Sequence, residues 1–259
     1  MVGNLLLRGM LVGVLAGLIC FVFLKIAGEP SVDRAIAFEA QMDEAKEKAP
    51  MPGMSMPGKE PQEQEELVSR PVQAGIGLFT GVMVYNAAFG GLFALVFALA
   101  YGRMGALGPR TIAALLAAMG FVAVYLVPSI KYPANPPSVG APETIGMRTA
   151  LYFAMIAISL AAMIAASMLH RRLLLRFGIW DATLIAGSAY LIVMIVVSLL
   201  LPSVNEVPEQ FPAVVLWQFR VASLTAQLLM WSTIGLAFGR VAEQILPAKR
   251  SALGVAVRT

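Results

Sequence analysis

The sequence predicts an all-α integral membrane protein with about six transmembrane helices, arranged as three hairpins with both termini in the cytoplasm. Of its 259 residues, 59% are hydrophobic and 13% are charged, whereas soluble domains have about 45–50% apolar and about 25% charged residues. The charged residues are clustered, and long uncharged runs separate the clusters. Lysine and arginine are enriched in alternate loops, as they are in the cytoplasmic loops of membrane proteins.

The uncharged runs set the positions of the predicted spans, because a helix needs about 20 apolar residues to cross a bilayer. The predicted spans are residues 5–27, 72–101, 111–130, 149–169, 182–201 and 212–239. The first span is the shortest, with 16 uncharged residues between Arg8 and Lys25. Gly9, Gly13 and Gly17 recur at every fourth position of this span. Such spacing favours close packing of membrane helices, so we expect a retained span rather than a cleaved signal peptide.

The charge distribution predicts the orientation of these spans. With six spans and an inside amino terminus, the cytoplasmic segments carry a net charge of +8 and the outer segments carry −5. This asymmetry agrees with the positive-inside rule. Residues 28–70 then form the longest outer segment, and both termini face the cytoplasm.

The first half of this outer segment is predicted to be an amphipathic helix from Ser31 to about Lys48, with Ser31 as its N-cap. Apolar residues recur at helical spacing along one face, namely Ala35, Phe38, Met42, Ala45 and Ala49. The opposite face is acidic, with Glu39, Asp43, Glu44 and Glu47. Two interpretations remain open: a helix that lies on the membrane surface, or an acidic surface that gathers divalent cations.

A Pro- and Gly-rich loop follows and carries Met51, Met54 and Met56. Thioethers are soft ligands that suit Cu(I), so this loop favours a copper site as an alternative. Methionine also serves as an adaptable apolar contact. The same loop reads G-x-x-x-x-G-K over 53–59, but Glu60 stands where a phosphate-binding loop needs Ser or Thr. We therefore predict no nucleotide site.

Two related segments indicate a partial internal repeat at the outer ends of the spans. Residues 126–131 read LVPSIK and residues 200–205 read LLPSVN, and each is followed by a loop that contains Pro and Glu. Transporters are often built from repeats, with sites at the repeat interfaces. The candidate polar residues therefore lie in and beside these two loops.

Arg220 is the one charged residue within the last predicted span, eight positions after Pro212. That spacing places it about 12 Å along a helix. An ionisable group at such depth is either paired and functional or extends to the interface. If Arg220 is paired, the candidate carboxylates are Glu206, Glu209 and Glu143.

Three segments of the chain resemble the predicted cobalt transporter subunit CbtA family. They are GEPSVDRAIAFE (28–39), KYPANPPSVGAPETIGMRT (131–149) and NEVPEQFPAVVLWQFRVASL (205–224). The resemblance implies a multi-pass protein of the bacterial inner membrane that moves cobalt. It also implies a small partner of the CbtB type, with a single span and histidines.

The first functional hypothesis is therefore a subunit of a cobalt(II) transporter. Acidic outer segments would gather the cation, and oxygen ligands at the hairpin ends would pass it inward, namely Asn135, Glu143, Asn205 and Glu206. Arg148 and Arg220 would hold those carboxylates in place. The alternatives are a copper transporter that uses the methionine loop and a membrane scaffold that does not transport.

Other classes of function have little support. The chain has a single histidine, His170, and a single cysteine, Cys20, and it shows no nucleophile–base pattern. We predict no enzymatic activity and no permanently bound cofactor. The predicted partners are the lipid bilayer and the small subunit, with a homo-oligomer as a further alternative and no nucleic acid.

Overall fold

The computed structural model describes residues 2–48, 68–137, 139–140 and 142–246, and these residues form helices and connecting loops without strands. In chain order they are α1 (Val2–Phe23), the π-helical turn π1 (Leu24–Gly28), α2 (Glu29–Lys48), α3 (Arg70–Val72), π2 (Gln73–Gly77), α4 (Leu78–Ala100), α5 (Pro109–Gly120), π3 (Phe121–Leu126), α6 (Val127–Lys131), α7 (Pro142–Leu200) and α8 (Ala213–Ile245).

Because the π-helical turns do not interrupt the helices, these elements join into longer ones. Within the described residues, five continuous helices are long and apolar enough to cross a membrane: Val2–Ala45, Arg70–Ala100, Pro109–Lys131, Glu143–Leu200 and Ala213–Ile245. They agree with the predicted all-α membrane protein. The longest of them, α7, covers the predicted span 149–169 and all but the last residue of the predicted span 182–201.

Helix α7 folds back on itself at Gly178. A straight helix of its 59 residues would be about 88 Å long, roughly three times the hydrocarbon thickness of a bilayer. Gly178 instead has φ 75° and ψ 178°, which are not helical values. His170 Nε2 lies 3.1 Å from Thr183 Oγ1, and the hydroxyls of Ser159 and Tyr190 lie 2.8 Å apart. Residues 142–177 and 179–200 are therefore two arms of a hairpin.

The outer helix α2 differs from its prediction in how it begins. Helix α1 continues into α2 through π1, and the Ser31 hydroxyl donates to the carbonyl of Gly28 at 2.6 Å from within the helix. The prediction of Ser31 as an N-cap is therefore wrong. The apolar face of α2 contacts protein, since Ala35 and Phe38 pack against a cluster formed by Val139, Phe211 and Val215. This contact covers the first part of that face, whereas Ala45 farther along it is exposed, so both interpretations of α2 remain predictions.

The chain divides into two compact units. The first comprises the described parts of 1–19, 82–118 and 229–259, and the second comprises those of 20–81 and 119–228. In the first unit, α1 packs closely on α4, because a Cβ atom at Gly9 would overlap the carbonyl of Gly90 and one at Gly13 would overlap that of Asn86. The glycine repeat thus allows two helix backbones to meet.

Candidate functional site

All candidate polar residues that the structure describes lie in the second unit. They come from three places: the loop after α6 (132–140), the first turns of α7, and the segment from the loop after α7 (201–212) to the second turn of α8. Met51, Met54 and Met56 lie outside the described residues. The site is therefore built from loops and helix ends rather than from the middle of the helices.

Glu206 is the buried carboxylate of this group, with 1% of its side chain exposed. Arg148 Nη1 donates to Glu206 Oε2 at 3.1 Å, and the Thr144 hydroxyl donates to Oε1 at 2.7 Å. Thr144 and Arg148 are four residues apart on α7, so both side chains project from one face. Each oxygen of the buried carboxylate thus has a donor, and its charge has a counter-ion.

Arg148 and its neighbours also join the two repeated loops. The guanidinium of Arg148 donates to the carbonyl of Pro133, next to Tyr132. The Tyr132 hydroxyl donates to the carbonyl of Pro202 at 2.7 Å, and Lys131 Nζ donates to Ser203 Oγ at 3.0 Å. Burial raises the pKa of the Tyr132 phenol, which keeps it protonated as a donor. The related LVPSIK and LLPSVN segments therefore lie side by side.

Arg220 has neutral partners instead of the expected carboxylates. Its Nε donates to the carbonyl of Ala134 at 3.2 Å, and its Nη2 donates to Asn135 Oδ1 at 3.1 Å. Of the three carboxylates considered for it, Glu206 pairs with Arg148, whereas Glu143 and Glu209 are exposed. Arg220 therefore holds the loop after α6 through hydrogen bonds to its backbone and to one amide.

The four predicted oxygen ligands do not form one ligand set in this arrangement. Asn135 accepts from Arg220, Glu206 accepts from Arg148, and Glu143 is exposed. Asn205 is also exposed, and its Oδ1 accepts from the backbone N–H of Val207 at 3.3 Å. Within the described ranges, no group of three or more His, Cys, Asp or Glu residues is placed to hold a metal ion. Arg148, Arg220 and Glu206 together carry a charge of +1, which is unfavourable for a divalent cation in this arrangement.

A second ionic cluster, which the sequence reasoning missed, joins the two ends of the 28–70 segment. Arg70 Nη2 lies 2.5 Å from Glu29 Oε2 and 2.8 Å from Asp33 Oδ1. A cavity of about 170 Å³ lies beside it and is lined by Gly28, Glu29, Phe219 and Ser223 among others. Glu29 and Asp33 are four residues apart on α2, so their carboxylates are neighbours on the helix surface. This spacing could have indicated that one basic residue pairs with both.

The ion pair between Arg148 and Glu206 should contribute to the free energy of unfolding. Arg148→Gln leaves the buried Glu206 carboxylate without a counter-ion, and such a change typically costs about 3–5 kcal/mol. We expect a clear drop in thermal stability of the purified protein in detergent. The double variant Arg148→Gln/Glu206→Gln should recover part of it, because no unpaired charge remains buried.

Glu209→Gln is the matched control, since it changes an exposed acid in the same loop as Glu206 and should shift stability by about 0.5 kcal/mol or less. Equal stability of Arg148→Gln and the wild type would show that the ion pair does not hold the loops.

In a comparison with models of known protein families, residues 2–243 match the model described as the probable cobalt transporter subunit (CbtA). No curated protein and no solved structure matches the chain. The matched range includes every described residue of the Arg148–Glu206 network and all five long apolar helices except the last two residues of α8. The chain therefore belongs to the family of the probable cobalt transporter subunit CbtA, which is a family of transporter subunits and not a class of enzymes.

Proposed function

We propose that this chain is the membrane-embedded subunit that carries cobalt(II) across the inner membrane of a bacterium, with the metal as cargo and no permanently bound cofactor. The family supports the transport role. The observation that carries the proposal is a buried carboxylate, Glu206, held between the loops that follow two apolar helices. Buried ionisable groups in membrane proteins commonly mark ion pathways.

The proposed topology has six crossings with both termini in the cytoplasm. The hairpin at Gly178 supports it, since each arm of α7 is long enough to cross the hydrocarbon layer alone. The net charge of +8 on the cytoplasmic segments supports the orientation.

Cysteine labelling tests this topology, because the native Cys20 is buried and contributes little background. A cysteine at the exposed Gln210 should react with an impermeant reagent in intact cells, whereas one at the exposed Ala106 should react only after permeabilisation. The opposite pattern would invert the proposed orientation.

In the proposed mechanism, Glu206 exchanges Arg148 for the incoming cation. The empty site needs a counter-ion because an unpaired carboxylate is expensive to bury, and Arg148 supplies it. When cobalt arrives, Glu206 turns to the metal, and Asn135, Glu143 and Asn205 are the nearby candidates for further oxygen ligands. Arg148 keeps its contact with the Pro133 carbonyl, so the loop stays attached.

The chain by itself is poor in the nitrogen donors that cobalt(II) accepts, since its sequence has one histidine. A small single-span subunit that bears histidines would supply such ligands during the transfer. Met51, Met54 and Met56 offer soft thioether ligands, which suit Cu(I) and therefore keep copper as the alternative cargo.

Replacing the carboxylate tests the role of Glu206 directly. We expect Glu206→Gln to lower cobalt accumulation in cells at least about tenfold, because an amide is a weaker ligand for a divalent cation than a carboxylate. Accumulation is measured by elemental analysis and normalised to the amount of protein in the membrane fraction.

Glu209→Gln serves again as the control and should leave cobalt accumulation close to the wild-type level. If Glu206→Gln inserts normally and still accumulates cobalt like the wild type, Glu206 is not a ligand on the path.

A further inference from the structure

The turn of the α7 hairpin combines exposed arginines with exposed apolar side chains. We call residues 170–181 the α7 tip. Arg171, Arg172 and Arg176 are exposed. Around them, the exposed fractions are 92% for Leu175, 51% for Phe177, 75% for Ile179 and 77% for Trp180. Neither the mechanism proposed above nor the core of the second unit uses this surface.

Helical spacing brings these arginines close together. Arg172 and Arg176 are four residues apart and are therefore neighbours on the helix surface. Leu175 is four residues from Arg171 and three from Arg172, so it is a surface neighbour of both. Like charges at this spacing destabilise a helix. Among the ion pairs of the described residues, none involves these arginines. The α7 tip thus carries three arginines and one exposed carboxylate, Asp181, and no ion pair joins them within the described part of the chain.

The base of the α7 tip is fixed by its own contacts. Gly178 adopts a φ of 75°, a left-handed value that glycine adopts without strain. His170 Nε2 lies 3.1 Å from Thr183 Oγ1 across the hairpin. The arginines and the apolar side chains are therefore presented on an ordered turn, which reduces the entropy lost when a ligand binds.

An anionic lipid headgroup layer complements this surface in both charge and polarity. A guanidinium binds a phosphate through paired hydrogen bonds. Tryptophan favours the membrane interface, where its ring contacts acyl chains and its N–H contacts the polar layer. Exposed leucine and isoleucine beside the arginines fit the boundary of the acyl chains, whereas a soluble anion would leave these apolar side chains in water.

We propose that the α7 tip is a binding site for anionic phospholipid, with a lipid phosphate between Arg172 and Arg176 and with Leu175, Ile179 and Trp180 at the acyl-chain boundary. The proposal requires the chain to be a membrane protein and does not require cobalt transport. Under the proposed topology the tip faces the cytoplasmic leaflet, whose surface is negatively charged.

Lipid titration of the purified full-length protein in neutral detergent tests the site. Bound phosphatidylglycerol and phosphatidylcholine are counted by native mass spectrometry at matched concentrations. We expect the wild type to retain phosphatidylglycerol about tenfold better, and Arg172→Gln/Arg176→Gln to lose that preference. Arg240→Gln is the control, because Arg240 is an exposed arginine outside the α7 tip that lies 3.7 Å from the carboxylate of Glu243, which it shares with Arg110.

Three results would overturn the proposal: equal retention of the two lipids by the wild type, an unchanged preference in the Arg172→Gln/Arg176→Gln variant, or full displacement of phosphatidylglycerol by an equal concentration of inorganic phosphate. Arg172→Lys/Arg176→Lys keeps the charge and should keep most of the preference, so it provides the test if the glutamine variant does not fold. Cobalt accumulation is measured separately, so failure of one proposal leaves the other standing.

Discussion

The ion pair between Arg148 and Glu206 is the interaction on which the outer part of the second unit depends. Glu206 comes from the loop after α7, and Arg148 comes from the beginning of the same helix, one full hairpin earlier. A carboxylate with 1% exposure is tolerated only when it is paired and hydrogen-bonded. Arg148 satisfies this need and, through Pro133, also holds the loop after α6. The side chain of Arg148 thus holds three chain segments together.

The same constraint makes this arrangement unfavourable for a cation beside Glu206. Arg148 and Arg220 both donate hydrogen bonds to groups of the protein. These two arginines and Glu206 together carry a net positive charge. In the proposed transport mechanism this arrangement is the resting state, since the empty carboxylate has a counter-ion and the loops stay joined. Cation binding then becomes a competition with Arg148, whose outcome depends on how many further ligands reach the metal.

The sequence predicted an all-α membrane protein but not how some of its helices connect. The gaps between charges predicted the apolar segments, because charges at a helix centre are costly in a bilayer. The continuation of α1 into α2 was missed, because Gly28, Glu29 and Pro30 have the composition of a break. The structure instead has the π-helical turn π1 just before Pro30, and π3 likewise ends two residues before Pro128. A proline ring clashes with the preceding turn, and a locally widened helix relieves the clash.

The contacts of the site were predictable only where charge decided them. Arg148 and Arg220 were both expected to hold the carboxylates of these loops, and the structure pairs Arg148 with Glu206. The partners of Arg220 are a backbone carbonyl and an amide, and no sequence pattern distinguishes those groups from the many similar ones in the chain. Thr144 was detectable in principle, because it lies one helical turn before Arg148 on the same face.

The central claim is that this chain carries cobalt(II), and ion flux into proteoliposomes tests it most directly. Purified protein is reconstituted with and without a small histidine-bearing subunit, and entry of the metal is followed with a trapped dye that cobalt quenches. The account predicts protein-dependent quenching by cobalt(II) that exceeds the leak of empty liposomes in at least one of the two preparations. Quenching at the leak rate in both preparations, with folded and inserted protein, would contradict it and leave a scaffold without transport.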